Sequence, residues 1–214
     1  MSPALAKGLA FGFLLAATVG PMWILCLRRT LAHGRLYGFV SGLGVASADA
    51  IYGFIAAFGL TAVSGFLLAQ QFWFSLLGGG FLVWMGAGIL RSAQRPAALP
   101  ATEAAARGAS GLAAAYASTL ALTLTNPATI LAFVAIFAGL GLAQNASYTE
   151  ATLVVVGVAI GSCAWWLLLT LGAGWLRARL HGPRGPALLR AINIFAGASI
   201  LAFGAVQLGT LAVK

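Results

Sequence analysis

From Gly8 to Leu27 the chain runs without a single charged side chain. A helix of about 20 such residues crosses a hydrocarbon core about 30 Å thick. The run is too long for the core of a secretory signal, so it reads as a retained first span. Further apolar runs follow, so that the set covers 4–27, 36–60, 72–90, 110–142, 151–175 and 191–212. They are continuous rather than alternating, and in lipid every backbone group must be satisfied within the segment, which leaves helices as the spanning element. Charged residues make up only 7% of the chain, against about 25% in a soluble domain, so the surface cannot be mostly water-facing. The expectation is an all-α polytopic membrane protein of about six transmembrane helices, forming one domain over 1–214.

The linkers alternate in charge. Arg28, Arg29 and Arg35 follow the first run; Arg91, Arg95 and Arg107, with Glu103, follow the third; Arg177, Arg179, Arg184 and Arg190 follow the fifth. The second linker carries no charge and the fourth only Glu150. With six spans the basic linkers share one side, which the positive-inside rule makes cytoplasmic and which leaves both termini outside, as in a multi-pass cell-membrane protein. The net charge of +9 is therefore orienting charge. It forms no soluble basic face of the kind that tracks nucleic acid.

Two prolines interrupt spans. Gly20-Pro21 lies in the first and Asn126-Pro127 near the middle of the fourth, where each proline removes a backbone donor and clashes with the turn before it. The fourth run is long for one crossing, so residues 108–143 read either as one broken helix or as a helix with a re-entrant segment. Shifting the sequence by 106 residues aligns Leu14 with Leu120, Pro21 with Pro127 and Ile24 with Ile130. Gly79-x6-Gly86-Ala87 in the third run is mirrored by Gly197-x6-Gly204-Ala205 in the sixth. Three spans per half, an odd number, make the halves opposite in orientation. The pattern therefore predicts two inverted three-helix repeats, about 1–95 and 108–214, joined by the basic linker 91–107, with broken first and fourth helices. In that architecture, breaks at matching positions point to a transporter's binding site.

Asp49 is the one acidic residue inside a run, and an ionised carboxylate there is expensive. It should face protein or a wet cavity, or hold a proton, which suits a group that exchanges protons during transport. Tyr52, three residues on, shares its helical face. Thr18, Gly20 and Pro21 at one break, with Thr125, Asn126 and Pro127 at the other, would expose backbone amides and carbonyls that complement a carboxylate and an ammonium, the two groups of an amino acid. The blander alternative is a pair of packing kinks re-satisfied by threonine hydroxyls. Asn193, just past Arg190, reads as a gate or as a satisfied interfacial polar group. Glycines such as Gly38, Gly42 and Gly78 to Gly80 read as packing positions. Phe72, Trp73, Phe74 and Trp175 read as interfacial anchors, and Trp84, Trp165 and Trp166 as deeper contacts.

Enzyme chemistry has little to stand on. His33 and His181 sit in separate linkers with no cluster to complete a metal site, and no phosphate-binding glycine loop is present, so no cofactor is expected. Two rival functions remain. Cys26 and Cys163 would serve a membrane thiol-disulfide electron shuttle, although they do not occupy matching positions in the halves; an unpaired buried thiol is usually inert. A divalent-metal or other ion exporter would need soft ligands near Asp49.

Gly20-Pro21, Leu27-Arg28-Arg29-Thr30-Leu31, His33-Gly34-Arg35 and Gly42-x-Gly44 leading to Asp49-x-x-Tyr52 and Gly59 stand in an order that resembles the lysine-exporter (LysE) family of amino-acid translocators. Asn126-Pro127, Gly79 to Gly86 and Asn193 to Gly204 extend the resemblance along nearly the whole chain. It implies a secondary-active, proton-coupled exporter of an amino acid or similar small zwitterion, with Asp49 as the residue that couples protons or holds the substrate ammonium. A homodimer is left open. The chain departs from the family's common wording in reading Val19-Gly20-Pro21-Met22 for Pro-Gly-Pro-Asn, Ala48-Asp49 for Gly-Asp, and Asn126-Pro127-Ala128 for Asn-Pro-Lys. The site is thereby more apolar, which points away from lysine or arginine as substrate.

Overall fold

In the computed structural model the described residues are 2–58, 66, 69–93, 109–126, 129–130, 132–133, 147–178 and 185–212. Among them the regular elements are all helical: α1 (Pro3–Ala17), α2 (Pro21–His33), α3 (Arg35–Ala57), α4 (Gln71–Ala93), α5 (Ala109–Leu124), α6 (Tyr148–Ala178) and α7 (Gly185–Ala212). The all-α membrane fold read from the sequence is what the chain adopts. Four helices, α3, α4, α6 and α7, are each long and apolar enough to cross a bilayer, and α1 with α2 passes the same test only as a bent pair, the form of a broken span or of a re-entrant loop. At 1.5 Å per residue α5 reaches only about 24 Å. Helical backbone resumes beyond it at 129–130 and 132–133.

The helix ends follow local chemistry. Ser2 Oγ accepts from the Leu5 amide at 3.2 Å, and Pro3 fills the first helical position, where its missing donor is harmless. Ser147 and Glu150 cap α6 reciprocally: Ser147 Oγ accepts from the Glu150 amide at 3.3 Å, while the carboxylate accepts from the Ser147 amide at 3.2 Å. The first apolar run does break before Pro21, and α1 and α2 meet at 75°. Between α2 and α3 a single residue, Gly34, turns the chain at φ 101°, a left-handed conformation that strains any side chain.

Helices in lipid gain little from burying apolar surface against one another, so close packing through small residues does more of the holding. Gly8 and Gly12 of α1 lie on the backbone of α6 at Val154 and Val158, and Gly157 and Gly161 of α6 lie on α1 from Leu5 to Phe13. Where α4 meets α7, a Cβ on Gly204 would sit 2.8 Å from the Gly79 carbonyl oxygen, and one on Gly86 would sit 2.8 Å from that of Gly197. The two glycine pairs noticed in the sequence therefore pack on each other in antiparallel register. Gly44 of α3 presses on α5 at Tyr116 and Thr119. The remaining broad interface joins α3 to α6. Exchanging α1 for α5, α3 for α6 and α4 for α7 carries these interfaces onto themselves, while α2, which packs on α3, α6 and α7, has no counterpart among the described helices.

Polarity runs inside out. Ser41, Asp49, Ser75, Thr119, Thr123, Ser162 and Thr170 are buried, while Leu14, Val19, Trp84, Leu168, Phe195 and Val206 face outward. Trp73 and Trp175 are exposed near helix ends, as expected of interfacial anchors. Arg35 lies over Gly174, and Arg28 bonds Asn193, one turn before the Gly197–Gly86 contact and so near Arg91. Arg28, Arg35 and Arg91 thus gather at one end of the bundle. Most of the second linker, most of the linker 91–107 and residues 179–184 lie outside the described residues.

Candidate functional site

Asp49 sits near the middle of α3, only 2% exposed, with Ala48 beside it at 0%. Its Oδ2 accepts a 2.7 Å hydrogen bond from Ser162 Oγ on α6. No Lys or Arg among the described residues pairs with it. A charged carboxylate held by one hydroxyl in an apolar interior is costly, and a proton or a cationic ligand relieves that cost.

Tyr52 does share the Asp49 face, and its hydroxyl donates to the Leu124 carbonyl at 2.6 Å. Leu124 ends α5, and the last carbonyls of a helix lack intrahelical donors, so Tyr52 serves as a cap supplied from another helix. The Tyr52 ring also packs on Phe133, 5.7 Å between centroids, and Phe133 meets Phe11 of α1 edge-on at 5.4 Å. At this break Thr125 Oγ1 donates back to Ala121 at 2.9 Å. The Asn126 carbonyl accepts from the Thr129 and Ile130 amides at 3.1 and 3.3 Å, restarting helical bonding. Pro127 lies outside the described residues.

The first break is built differently. Thr18 is exposed, and its hydroxyl donates to Leu14 at 3.3 Å within its own helix. Gly20 is extended (φ −151°), a Cβ on it would meet nothing within 4 Å, and no side chain caps α2. Pro21 has no amide to offer, so the donors at this end are the amides of Met22 and Trp23. Ala16 and Met22, which bracket the break, belong to one apolar cluster with Val45, Ala46 and Trp166. Trp166 is buried against Gly42, and Trp165 packs edge-on against Phe13 at 5.3 Å. The indole N–H groups of both tryptophans are buried without a hydrogen-bond partner among the described residues. Each is a donor that a ligand can complete.

The two breaks therefore flank Asp49 along α3. Val45 and Ala46, on the side of the first break, precede it by about one turn, and Tyr52, on the side of the second, follows by about one turn. Of the residues singled out from sequence, Asp49, Tyr52 and the two breaks come together in this way. Asn193 does not join them: its Oδ1 accepts from Arg28 Nε at 2.9 Å at the basic end.

Sequence reasoning missed Ser162, Phe133 and the Leu124 carbonyl, and it missed a latch at the basic end. Arg29 donates from Nη1 to Ser41 Oγ at 3.1 Å and the Ala115 carbonyl at 3.0 Å, and from Nη2 to Ser118 Oγ at 2.9 Å. It thereby ties α2 to α3 and α5 beneath the site. Gln207, another polar residue left unremarked, donates to the Ser75 carbonyl at 3.1 Å and lies beside Gly78 and Thr125. Cys26 and Cys163 are free thiols, Cys26 wholly buried among apolar side chains. No group of three metal-ligating side chains occurs among the described residues.

Long apolar helices, an inverted polarity and a buried carboxylate between two helix breaks define a polytopic membrane protein of the translocator class. Comparison with known proteins makes this specific. The LysE type translocator model matches residues 13–210, and the chain belongs to that family. It is 28% identical over 200 residues to the protein named "Putative amino acid efflux protein YcgF" of Bacillus subtilis (strain 168), covering 92% of this chain and 90% of that protein. It is also 28% identical over 148 residues to "Uncharacterized membrane protein YahN" of Escherichia coli (strain K12), covering 67% of this chain and 63% of the other. No solved structure matches the chain.

Proposed function

We propose that this translocator is a secondary-active, proton-coupled exporter of an amino acid or a similar small zwitterion across the cell membrane. The observation that carries the reading is Asp49, a buried carboxyl with a hydroxyl partner and no cation, placed between two helix breaks. The similarity to a protein named for amino acid efflux supports the substrate class.

At the first break the α2 amides and the positive end of its dipole favour a carboxylate, and the unpartnered indole donors of Trp165 and Trp166 stand in the same cluster. On the other side of Asp49 the environment is acceptor-rich, with the Leu124 carbonyl and the Ser162 hydroxyl close by. A zwitterion lying along α3 would put its carboxylate toward Met22 and its ammonium toward Asp49. Arrival of the ammonium displaces the carboxyl proton, and departure of the substrate allows Asp49 to take one up.

Six spans in two inverted halves, with the basic end cytoplasmic and both termini outside, complete the reading. The set of helix interfaces preserved on exchanging halves supports the repeat, and the clustering of Arg28, Arg29, Arg35 and Arg91 supports the orientation. Rocking of the halves about the α3–α6 and α4–α7 interfaces would open the site to each side in turn, with the Arg29 latch closing the basic end in the state described here.

The test is efflux from reconstituted vesicles, screening a panel of amino acids and a divalent-metal control with and without a pH gradient. Gradient-dependent movement of a neutral amino acid is the expected result. Movement of the metal alone, or of amino acids with no response to the gradient, overturns the proposal.

A further inference from the structure

We propose that the cleft between α2 and α7 binds one anionic phospholipid of the leaflet at the basic end, with Arg28 holding the headgroup phosphate. The cleft encloses roughly 240 Å³ and is lined by apolar groups, among them Trp23, Leu27, Leu31, Ile192 and Phe195, with Arg28 contributing its aliphatic stem to the wall and not its guanidinium nitrogens. Arg28, Ile192 and Phe195 are not among the residues gathered around Asp49, whereas Trp23 and Ile24 border both the cleft and the cluster at the first break.

Three features select this occupant. First, Asn193 accepts from Nε of Arg28 at 2.9 Å, which fixes the guanidinium plane and leaves Nη1 and Nη2 with no hydrogen bond among the described residues. Second, no carboxylate among the described residues lies against Arg28, whereas its neighbour Arg29 is tied by three hydrogen bonds. A guanidinium with two open donors matches a phosphate in fork geometry and outperforms a lysine there. Third, the groove beside it is apolar and faces outward, with Phe195 exposed at its rim, so it suits an acyl chain in place of a soluble anion. Basic pockets between membrane helices on the positively flanked side have this chemistry. Asn193, read from sequence as a gate or an interfacial polar group, becomes the residue that aims Arg28.

The inference rests on α2 and α7 being membrane-embedded, and not on the identity of the transported substrate. The experiment is native mass spectrometry of the full chain in detergent, titrated with phosphatidylglycerol or phosphatidylcholine of equal chain length. The wild type should prefer phosphatidylglycerol, and Arg28→Gln should lower that affinity about fivefold, the worth of one basic residue near an anionic headgroup. Arg190→Gln removes a charge from the same end without touching the groove and should bind as the wild type does. Ile192→Trp keeps every charge and fills the groove, so it should lose the lipid and provides the test if Arg28→Gln does not fold. Retained preference in Arg28→Gln or in Ile192→Trp, equal loss in Arg190→Gln, or full competition by inorganic phosphate overturns the proposal. Lipid binding is read here without transport, so its failure leaves the export reading standing, and the reverse holds too.

Discussion

The two helix breaks occupy matching places in the sequence and do opposite things in the structure. At the first, Gly20 stands in open space, α2 has no side-chain cap and the chain turns by 75°. At the second, Tyr52 caps Leu124, Thr125 satisfies its own helix and Asn126 restarts helical bonding at once. One break keeps its donors available; the other has its acceptors engaged. A pair of matched kinks serving packing alone has no reason to differ in this way. The difference suits a ligand with two unlike ends, and Asp49 lies between them.

The comparison can be broken at several points. The largest effect falls on Asp49: Asp49→Asn should reduce gradient-driven efflux to the level of empty vesicles. The fold should hold, because an amide is cheaper than a carboxylate in that interior, and a thermal melt in detergent checks this. Next comes the closed break. Tyr52→Phe leaves the Leu124 carbonyl without its donor and should destabilise by about 1–3 kcal/mol, measured by chemical denaturation. The open break should behave the other way. Gly20→Ala should change stability by less than about 0.5 kcal/mol, since its extended backbone suits any residue and the new Cβ meets nothing, yet raise the KM for efflux. Trp166→Phe should likewise raise KM, and it should also lower the melting temperature, because the smaller ring leaves a cavity where the buried indole packs. The smallest effect is expected of Thr18→Val, an exposed hydroxyl bonded only within its own helix, at less than about 0.5 kcal/mol and with efflux unchanged.

How far the sequence reached depends on how each feature is encoded. Span positions are written in the absence of charge, so α3, α4, α6 and α7 were legible within a few residues, as was the break in the first run before Pro21. A buried acid is equally conspicuous, and Asp49 needed no structure to find. The glycine pairs were visible as spacing, but that Gly79 packs on Gly204 and Gly86 on Gly197 depends on helix direction and register. Ser162 was invisible: a lone serine in an apolar run carries no periodic signal, and its partner lies far away in sequence. The same holds for Arg29, which linker charge assigned to orientation while its hydrogen bonds reach Ser41, Ala115 and Ser118. Asn193 was read as a gate or a satisfied interfacial polar group, and its pairing with Arg28, which linker charge assigned to orientation, was not foreseen. Extending the first span as one unit also hid α2, which continues to His33 well past the apolar run, because Arg28 and Arg29 read as its end.

The most direct measurement follows protons and substrate together. Vesicles containing the protein and a pH-sensitive dye are given the amino acid found to move in the screen, with no pH gradient imposed. If Asp49 trades its proton for the substrate ammonium, addition of the amino acid should shift the internal pH, and Asp49→Asn should abolish the shift. A pH change of equal size in that variant, or amino acid flux with no pH change in the wild type, would contradict the account.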